Sequence, residues 1–181
     1  MTVAEVFRDL SAHLIKGMMI HDQMTDYYDF LQLRGYKRCH EYHFKKESAM
    51  YRKLHRYYIN NYSRLIEEKQ IDNPALISPT WYKYKTTEID AATKQNAVKM
   101  GLEMWLSWEA ETKAKLEEMS SALYDLSETG AAMFINDMIL DVEKEVKCAK
   151  RKYIELNSVN YDMPYIYAEQ KRLHDKYKRM L

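Results

Sequence analysis

The stretch YKRCHEYHFKKESAMYRKL, residues 36–54, decides how the chain folds. It contains no Gly or Pro, so nothing in it interrupts a helix. Counted at heptad-like spacing, one face carries Tyr36, His40, His43, Glu47, Met50 and Leu54. Tyr, Met and Leu suit a core-facing stripe. Two histidines and a glutamate in its middle do not, unless something in the interior pairs with them.

The same counting works outward from this stretch. Upstream, a helix is predicted over about residues 3–32, on the stripe Val3, Phe7, Leu10, Leu14, Gly17, His21, Met24, Tyr28, Leu31. Thr2 and Glu5 have the spacing of a capping box at its start. Arg34-Gly35 reads as the turn into the second helix, because Gly accepts the left-handed conformation that ends helices. The second helix is predicted over about 36–69, with Tyr57 and Leu65 continuing its stripe. So short a turn makes the two helices antiparallel neighbours.

Pro74 and Pro79 forbid a continuous helix through residues 70–88. That segment is long enough to cross the length of a bundle. A third helix is predicted over about 88–126, on Val98, Leu102, Trp105, Glu109, Thr112, Leu116, Met119, Leu123 and Leu126. Ser127 to Gly130 forms a second short turn. A fourth helix, about 131–156, follows the stripe Ala132, Ile135, Ile139, Val142, Val146, Ala149, Tyr153, Leu156. A shorter fifth helix, about 164–180, places Ile166, Leu173 and Tyr177 on one side. The expected architecture is all-α: two antiparallel hairpins joined by one long crossover, then a C-terminal helix, in a single domain spanning residues 1–181.

Composition agrees. Four Gly and three Pro in 181 residues leave little material for the turns of an all-β fold. Charged residues make up 30% of the chain and are interleaved with regular apolar positions, as long amphipathic helices require. No apolar run reaches the roughly 18 residues of a membrane span, so no membrane is expected. The opening MTVAEVFRDL has no basic region followed by an apolar one, so the expected location is cytoplasmic. Cys39 and Cys148 match no zinc spacing and read as reduced thiols.

Four stripe positions are conspicuously polar: His21, His43, Glu47 and Glu109. With Gly35 as the turn, His21 lies 14 residues before it and Glu47 lies 12 after it. At about 1.5 Å per residue these two reach nearly the same height, with His43 about one turn away on the same face. Glu109 lies 19 residues before a turn near 128, and Glu145 lies 17 after it. Glu145 flanks its stripe rather than centring it. Imidazole nitrogen and carboxylate oxygen are the usual ligands of Fe, Mn or Zn. His21, His43, Glu47, Glu109 and Glu145 therefore form a candidate metal set, for iron or another divalent transition metal. The alternative is a hydrogen-bonded polar layer holding no metal. In it Glu47 accepts from His21 or His43, and Glu109 from Tyr28, Trp105 or Thr112.

Tyr27-Tyr28, then Glu47-Ser-Ala-Met50-Tyr-Arg-Lys-Leu54, then Tyr58-Ile-Asn60 resembles the first two helices of ferritins. The layout of residues 3–156 resembles the ferritin-like superfamily. The resemblance implies a Glu on the first helix, Glu-x-x-His on the second, Glu on the third and commonly Glu-x-x-His on the fourth. Glu47 and Glu109 match. Met50 stands where a His belongs, Cys148 follows Glu145 in place of a His, and His21 stands nearest the missing first-helix carboxylate. The implied function is a ferritin-like bundle with an incomplete or remodelled site for a divalent metal. The alternative is a non-catalytic oligomeric or interaction module that keeps the fold without metal. His21, His43 and Glu47 also echo by residue type, though not by spacing, the site of the mini-ferritins that coat DNA.

Charge separates along the chain. Residues 34–56 hold eight Lys or Arg against two Glu, a net of +6, and residues 103–145 hold eleven acids against three Lys, a net of −8. The whole chain is only +1. Basic and aromatic side chains over 34–56 have the composition of a single-strand binder. The near-cancelling halves fit pairing within the bundle or between subunits better. A homo-oligomer is expected, and nucleic acid is not the favoured partner.

Overall fold

The computed structural model describes residues 1–72 and 84–180. Pro74, Pro79 and the middle of the crossover lie outside the described residues. Thr2 starts the first helix, α1 (Val3–Phe30), through a complete capping box with Glu5. The second helix is α2 (Arg34–Tyr62). After a single 3-10 turn, Thr86–Glu88, come α3 (Ala91–Asp125), α4 (Thr129–Ser158) and α5 (Met163–Lys178). The side chains of Asp90 and Asp162 cap α3 and α5 by accepting from the backbone N–H of Thr93 and Tyr165. In packing, α1 lies against α2, α3 against α4, α1 against α3, and α5 against α2. No helix among the described residues is long and apolar enough to cross a membrane.

Both hairpin turns are made without glycine. Gln32 (φ 59°) and Ser127 (φ 61°) take the left-handed conformation. The next residues close the helix ends: Leu33 N–H donates to Tyr28 O, and Glu128 N–H to Leu123 O, each at 2.9 Å. A left-handed non-Gly residue costs roughly 1–2 kcal/mol. At the first turn the full burial of Leu31 and Leu33 on either side offsets it.

Gly35 is therefore not the turn. It is the second residue of α2, where the α5 backbone crosses. A Cβ on Gly35 would lie 1.8 Å from the carbonyl oxygen of Gln170. The residue is needed for close approach rather than for an unusual φ. Helix α2 also ends earlier than its stripe suggests. Asn61 donates its side-chain amide to Tyr57 O, and Ser63 turns left-handed at φ 53°. Such side-chain competition for the backbone is what breaks a helix at Asn and Ser. Ile66 rather than Leu65 then turns inward; Leu65 is 78% exposed.

Two apolar clusters fill the bundle. One, toward the first turn, gathers Met24, Tyr28, Leu31, Leu102, Trp105 and Leu156 with Ile166, Leu173 and Tyr177 of α5. The other, toward the opposite end, gathers Phe7, Leu10, Leu14, Leu54, Leu116, Met119 and Ile135. Between them lies a buried polar layer containing His21, His40, His43, Glu47, Glu109 and Thr112.

Candidate metal centre

The layer is built by three helices and edged by a fourth. His21 comes from α1, His40, His43 and Glu47 from α2, and Glu109 from α3. All five are buried. Glu145 of α4 is less buried, at 18% side-chain exposure, and lies at the rim. Glu109 and Glu145 stand equally far in sequence from Ser127, the turn of their hairpin. Symmetry about the turn is what brings two positions of an antiparallel pair level.

One nitrogen each of His21 and His43 and one oxygen of Glu109 lie within 4.8 Å of one another. His21 Nε2 is 3.8 Å from Glu109 Oε1, and His43 Nδ1 is 3.8 Å from the same oxygen. His43 Nδ1 is also 3.6 Å from Glu145 Oε2. These separations exceed hydrogen-bond length. His21 Nε2 and His43 Nε2 have no hydrogen-bond partner, although both are buried. Burial strips water from all of these groups. It drives the His21 imidazolium down to about 3 and holds His40 and His43 well below the ordinary histidine range. It drives the Glu109 carboxyl up to about 8, with the charges of Glu47 and Glu145 adding to the effect. Near neutral pH the imidazoles are thus uncharged, the protonation state in which histidine ligates metals.

Two ligand-set residues are engaged elsewhere. The Glu47 carboxylate accepts from Trp108 Nε1 at 3.4 Å, while its Oε2 has no partner. It packs where Gly17 leaves room, since a Cβ on Gly17 would sit 2.9 Å from that carboxylate and from the Trp108 ring. Burial raises its carboxyl to about 7. Glu145 is paired with Lys46. Glu47 therefore faces Gly17, one turn from His21, rather than His21 itself. The displacement follows from the turn. Moving the centre of the hairpin from Gly35 to Gln32 slides the pairing along α2 by about six residues, because a three-residue shift of the centre counts twice in an antiparallel pair. His21 then meets His40 and His43.

The polar layer also satisfies some of its own members. Glu109 Oε1 accepts from Trp105 Nε1 at 2.9 Å, one of the donors expected for it. Glu47 accepts from Trp108 and not from either expected histidine. His40 lies on the inner stripe of α2 and outside the candidate ligand set. Its Nδ1 lies 3.0 Å from His21 Nδ1, and its ring stacks on Tyr28 with centroids 5.3 Å apart. With both rings neutral, one Nδ1 carries the proton and the other accepts it. When His21 is the donor, its Nε2 lone pair is bare and aimed at Glu109. Metal-bound histidines are held in this way by a partner on the other nitrogen. Position on the stripe was the available signal for His40.

The orphaned buried nitrogens, the clustered oxygen and the neutral imidazoles fit a divalent transition metal. Three protein donors on one side of an ion leave positions open to water or substrate. Three donors held at rest within 4.8 Å need only small side-chain movements to reach ligand distance.

No protein-family model matches the chain, and no curated protein matches it by sequence. Similar solved structures are found. An open pore ferritin from the hyperthermophilic archaeon Archaeoglobus fulgidus is 13% identical, with a TM-score of 0.79 over 94% of this chain and 93% of that one. A closed form of the Archaeoglobus fulgidus ferritin, engineered by site-directed mutagenesis, is 12% identical, with a TM-score of 0.77 over 96% of each chain. A PmFTN variant soaked in iron is 11% identical, with a TM-score of 0.75 over 92% of this chain and 95% of that one. The two hairpins and the C-terminal helix have the ferritin-like fold.

Proposed function

We propose that the protein binds one divalent transition metal, iron foremost, in the buried layer at mid-bundle. His21, His43 and Glu109 are its ligands, Glu145 stands beside His43 as a rim carboxylate, and Glu47 is a buried neighbour outside the first set of donors. The supporting observation is the convergence of a ring nitrogen of His21, a ring nitrogen of His43 and a Glu109 oxygen within 4.8 Å, with the buried His21 Nε2 that faces Glu109 lacking a hydrogen-bond partner. Burying the two Nε2 atoms of His21 and His43 without partners is costly. An ion recovers that cost by giving every lone pair an acceptor.

The residues favour one metal rather than two. A single carboxylate reaches toward both imidazoles; Glu47 is turned to Trp108, and Glu145 is held by Lys46. Met50 offers no second imidazole. A ferrous ion held here is cargo, so the site suits capture of iron, and its one-electron oxidation where dioxygen accepts the electron. The ferritin structures of the same fold, one of the neighbours having been soaked in iron, make iron the first metal to try.

We also read the chain as a homo-oligomer. Met133, Leu140 and Ile154 are 61%, 58% and 56% exposed along α4. They recur at multiples of seven residues and so share one outer face. Covering that face is what an oligomer would do. Light scattering giving a monomer mass at micromolar concentration would remove this part of the reading.

Metal content tests the main part. The protein is loaded anaerobically with Fe(II), freed of loose metal by gel filtration and analysed for iron. About one equivalent is expected, falling to background in Glu109→Gln and His21→Ala proteins that keep their helical circular dichroism. No retained iron in the parent protein would favour the alternative, a hydrogen-bonded layer in a non-catalytic interaction module.

A further inference from the structure

We propose that the groove between the start of α2 and α5 is a binding site for a small multiply charged phosphate anion of the pyrophosphate type. It stands apart from the metal reading and uses none of its residues.

The groove exists because of Gly35. The backbone of α5 at Gln170 touches the second residue of α2 there, with no space for even a methyl group. Two helices that meet at one point leave wedge-shaped space beside it. That space holds two lobes, of about 840 Å³ and about 390 Å³, which share Asp29, Arg34 and His174 on their walls and so form one groove. The groove has room for a small phosphate anion together with a group attached to it.

Its walls are predominantly cationic. Lys37 and Arg38 lie three and four residues after Arg34, so both neighbour it on one side of α2. Lys171 and His174 face them from α5 at a spacing of three. Two acids also line the groove, Asp29 and Glu41. Asp29 is taken up by Lys37 at 2.9 Å. Arg34, Arg38 and Lys171 have no ion pair or hydrogen bond among the described residues. Against these three, Glu41 is the one remaining acid of the lining. By contrast, Arg172, the neighbour of Lys171 on α5, is paired with Glu169 at 2.7 Å.

Local helix chemistry points the same way. Leu33 gives α2 no side-chain cap, and the first turn holds no acid. The positive end of the helix dipole is thus joined by Arg34, Lys37 and Arg38, an arrangement that repels itself without an anion. Arginine forks bind phosphate oxygens in pairs, and lysine adds a point charge. Gln32, Gln170 and the half-exposed Tyr167 line the larger lobe. They supply amide groups and a ring for whatever the phosphates are attached to.

Isothermal titration calorimetry of the full chain in phosphate-free buffer with EDTA tests this without involving the metal layer. Inorganic pyrophosphate is expected to bind at one site, roughly tenfold more tightly than orthophosphate, and more weakly as salt rises. Arg34→Gln and Lys171→Gln should each weaken pyrophosphate about tenfold. Arg52→Gln, on α2 but outside the groove, should leave it unchanged. Circular dichroism confirms that each variant is folded. No binding at millimolar pyrophosphate, equal binding by the groove variants, or duplex DNA binding that pyrophosphate does not displace would each overturn the proposal.

Discussion

The Nδ1 atoms of His21 and His40 lie 3.0 Å apart in a layer closed to water. Only one proton fits between them while both rings are neutral. The bond therefore couples the tautomer of His21 to its neighbour and leaves His21 Nε2 facing Glu109. His40 acts on a bound metal through His21, as a positioning residue.

His40→Phe keeps the stacking surface toward Tyr28 and removes the hydrogen bond. Metal affinity should fall by roughly 10–100-fold, while the fold survives. Cobalt(II) absorption read in competition with a chelator measures the affinity. Thermal melting of the metal-free variant separates this effect from loss of structure. Unchanged cobalt affinity would remove the role given to His40.

The layer makes stability depend on pH in two opposing ways. The histidines are depressed in the folded state, so their stabilisation is present above the unfolded value near 6.5 and is lost as pH falls below it. The Glu47 and Glu109 carboxyls are raised to about 7 and about 8. Their stabilisation is full below the unfolded value near 4.3 and is lost as pH rises through 7 to 8. Metal-free protein should therefore be most stable near pH 6 to 6.5 and weaken toward pH 8.5. Metal requires Glu109 ionised, so the melting-temperature gain from metal should grow over the same range. Melting curves at several pH values, with and without Fe(II) under argon, check both trends. A metal-free protein that gains stability between pH 6.5 and 8.5 would contradict the assignment.

Glu47 is buried without a partner for one oxygen and stands outside the cluster of three donors. Glu47→Leu should raise metal-free stability by roughly 1–4 kcal/mol in urea denaturation and leave iron content near one equivalent. Loss of iron in this variant would place Glu47 among the ligands after all.

Gly35→Ala sets two effects against each other. Alanine favours the helix by roughly 0.5–1 kcal/mol. The added methyl would collide with the Gln170 carbonyl, and overpacking against backbone costs about 1–3 kcal/mol. The clash should win. The variant should melt lower, and hydrogen exchange should rise in α5 before it rises in α1. Uniform exchange across the helices would mean that α5 is not docked through this contact.

The architecture was readable because long helices announce themselves by spacing. The capping box at Thr2 and the stripes of α1, α3 and α4 needed no tertiary information. The same spacing singled out His21, His43 and Glu109. The turn was harder. Gln32 takes a conformation that glycine usually supplies, and the nearby Gly35 was needed for helix crossing instead. Local sequence does not distinguish these two uses of glycine. From that one displacement came the wrong partner for His21, since register in a hairpin follows its centre. His40 was on the inner stripe, but its bond to His21 depends on rotamers that spacing does not encode. Glu109 and Glu145 fell level because the second turn lay close to where it was expected.

The most direct test of the metal reading is anomalous scattering from crystals soaked anaerobically in Fe(II), with data on both sides of the iron edge. One peak is expected at mid-bundle, about 2.0–2.2 Å from a ring nitrogen of His21, a ring nitrogen of His43 and a Glu109 oxygen. An interior without a peak, or iron found only on surface carboxylates, would contradict it.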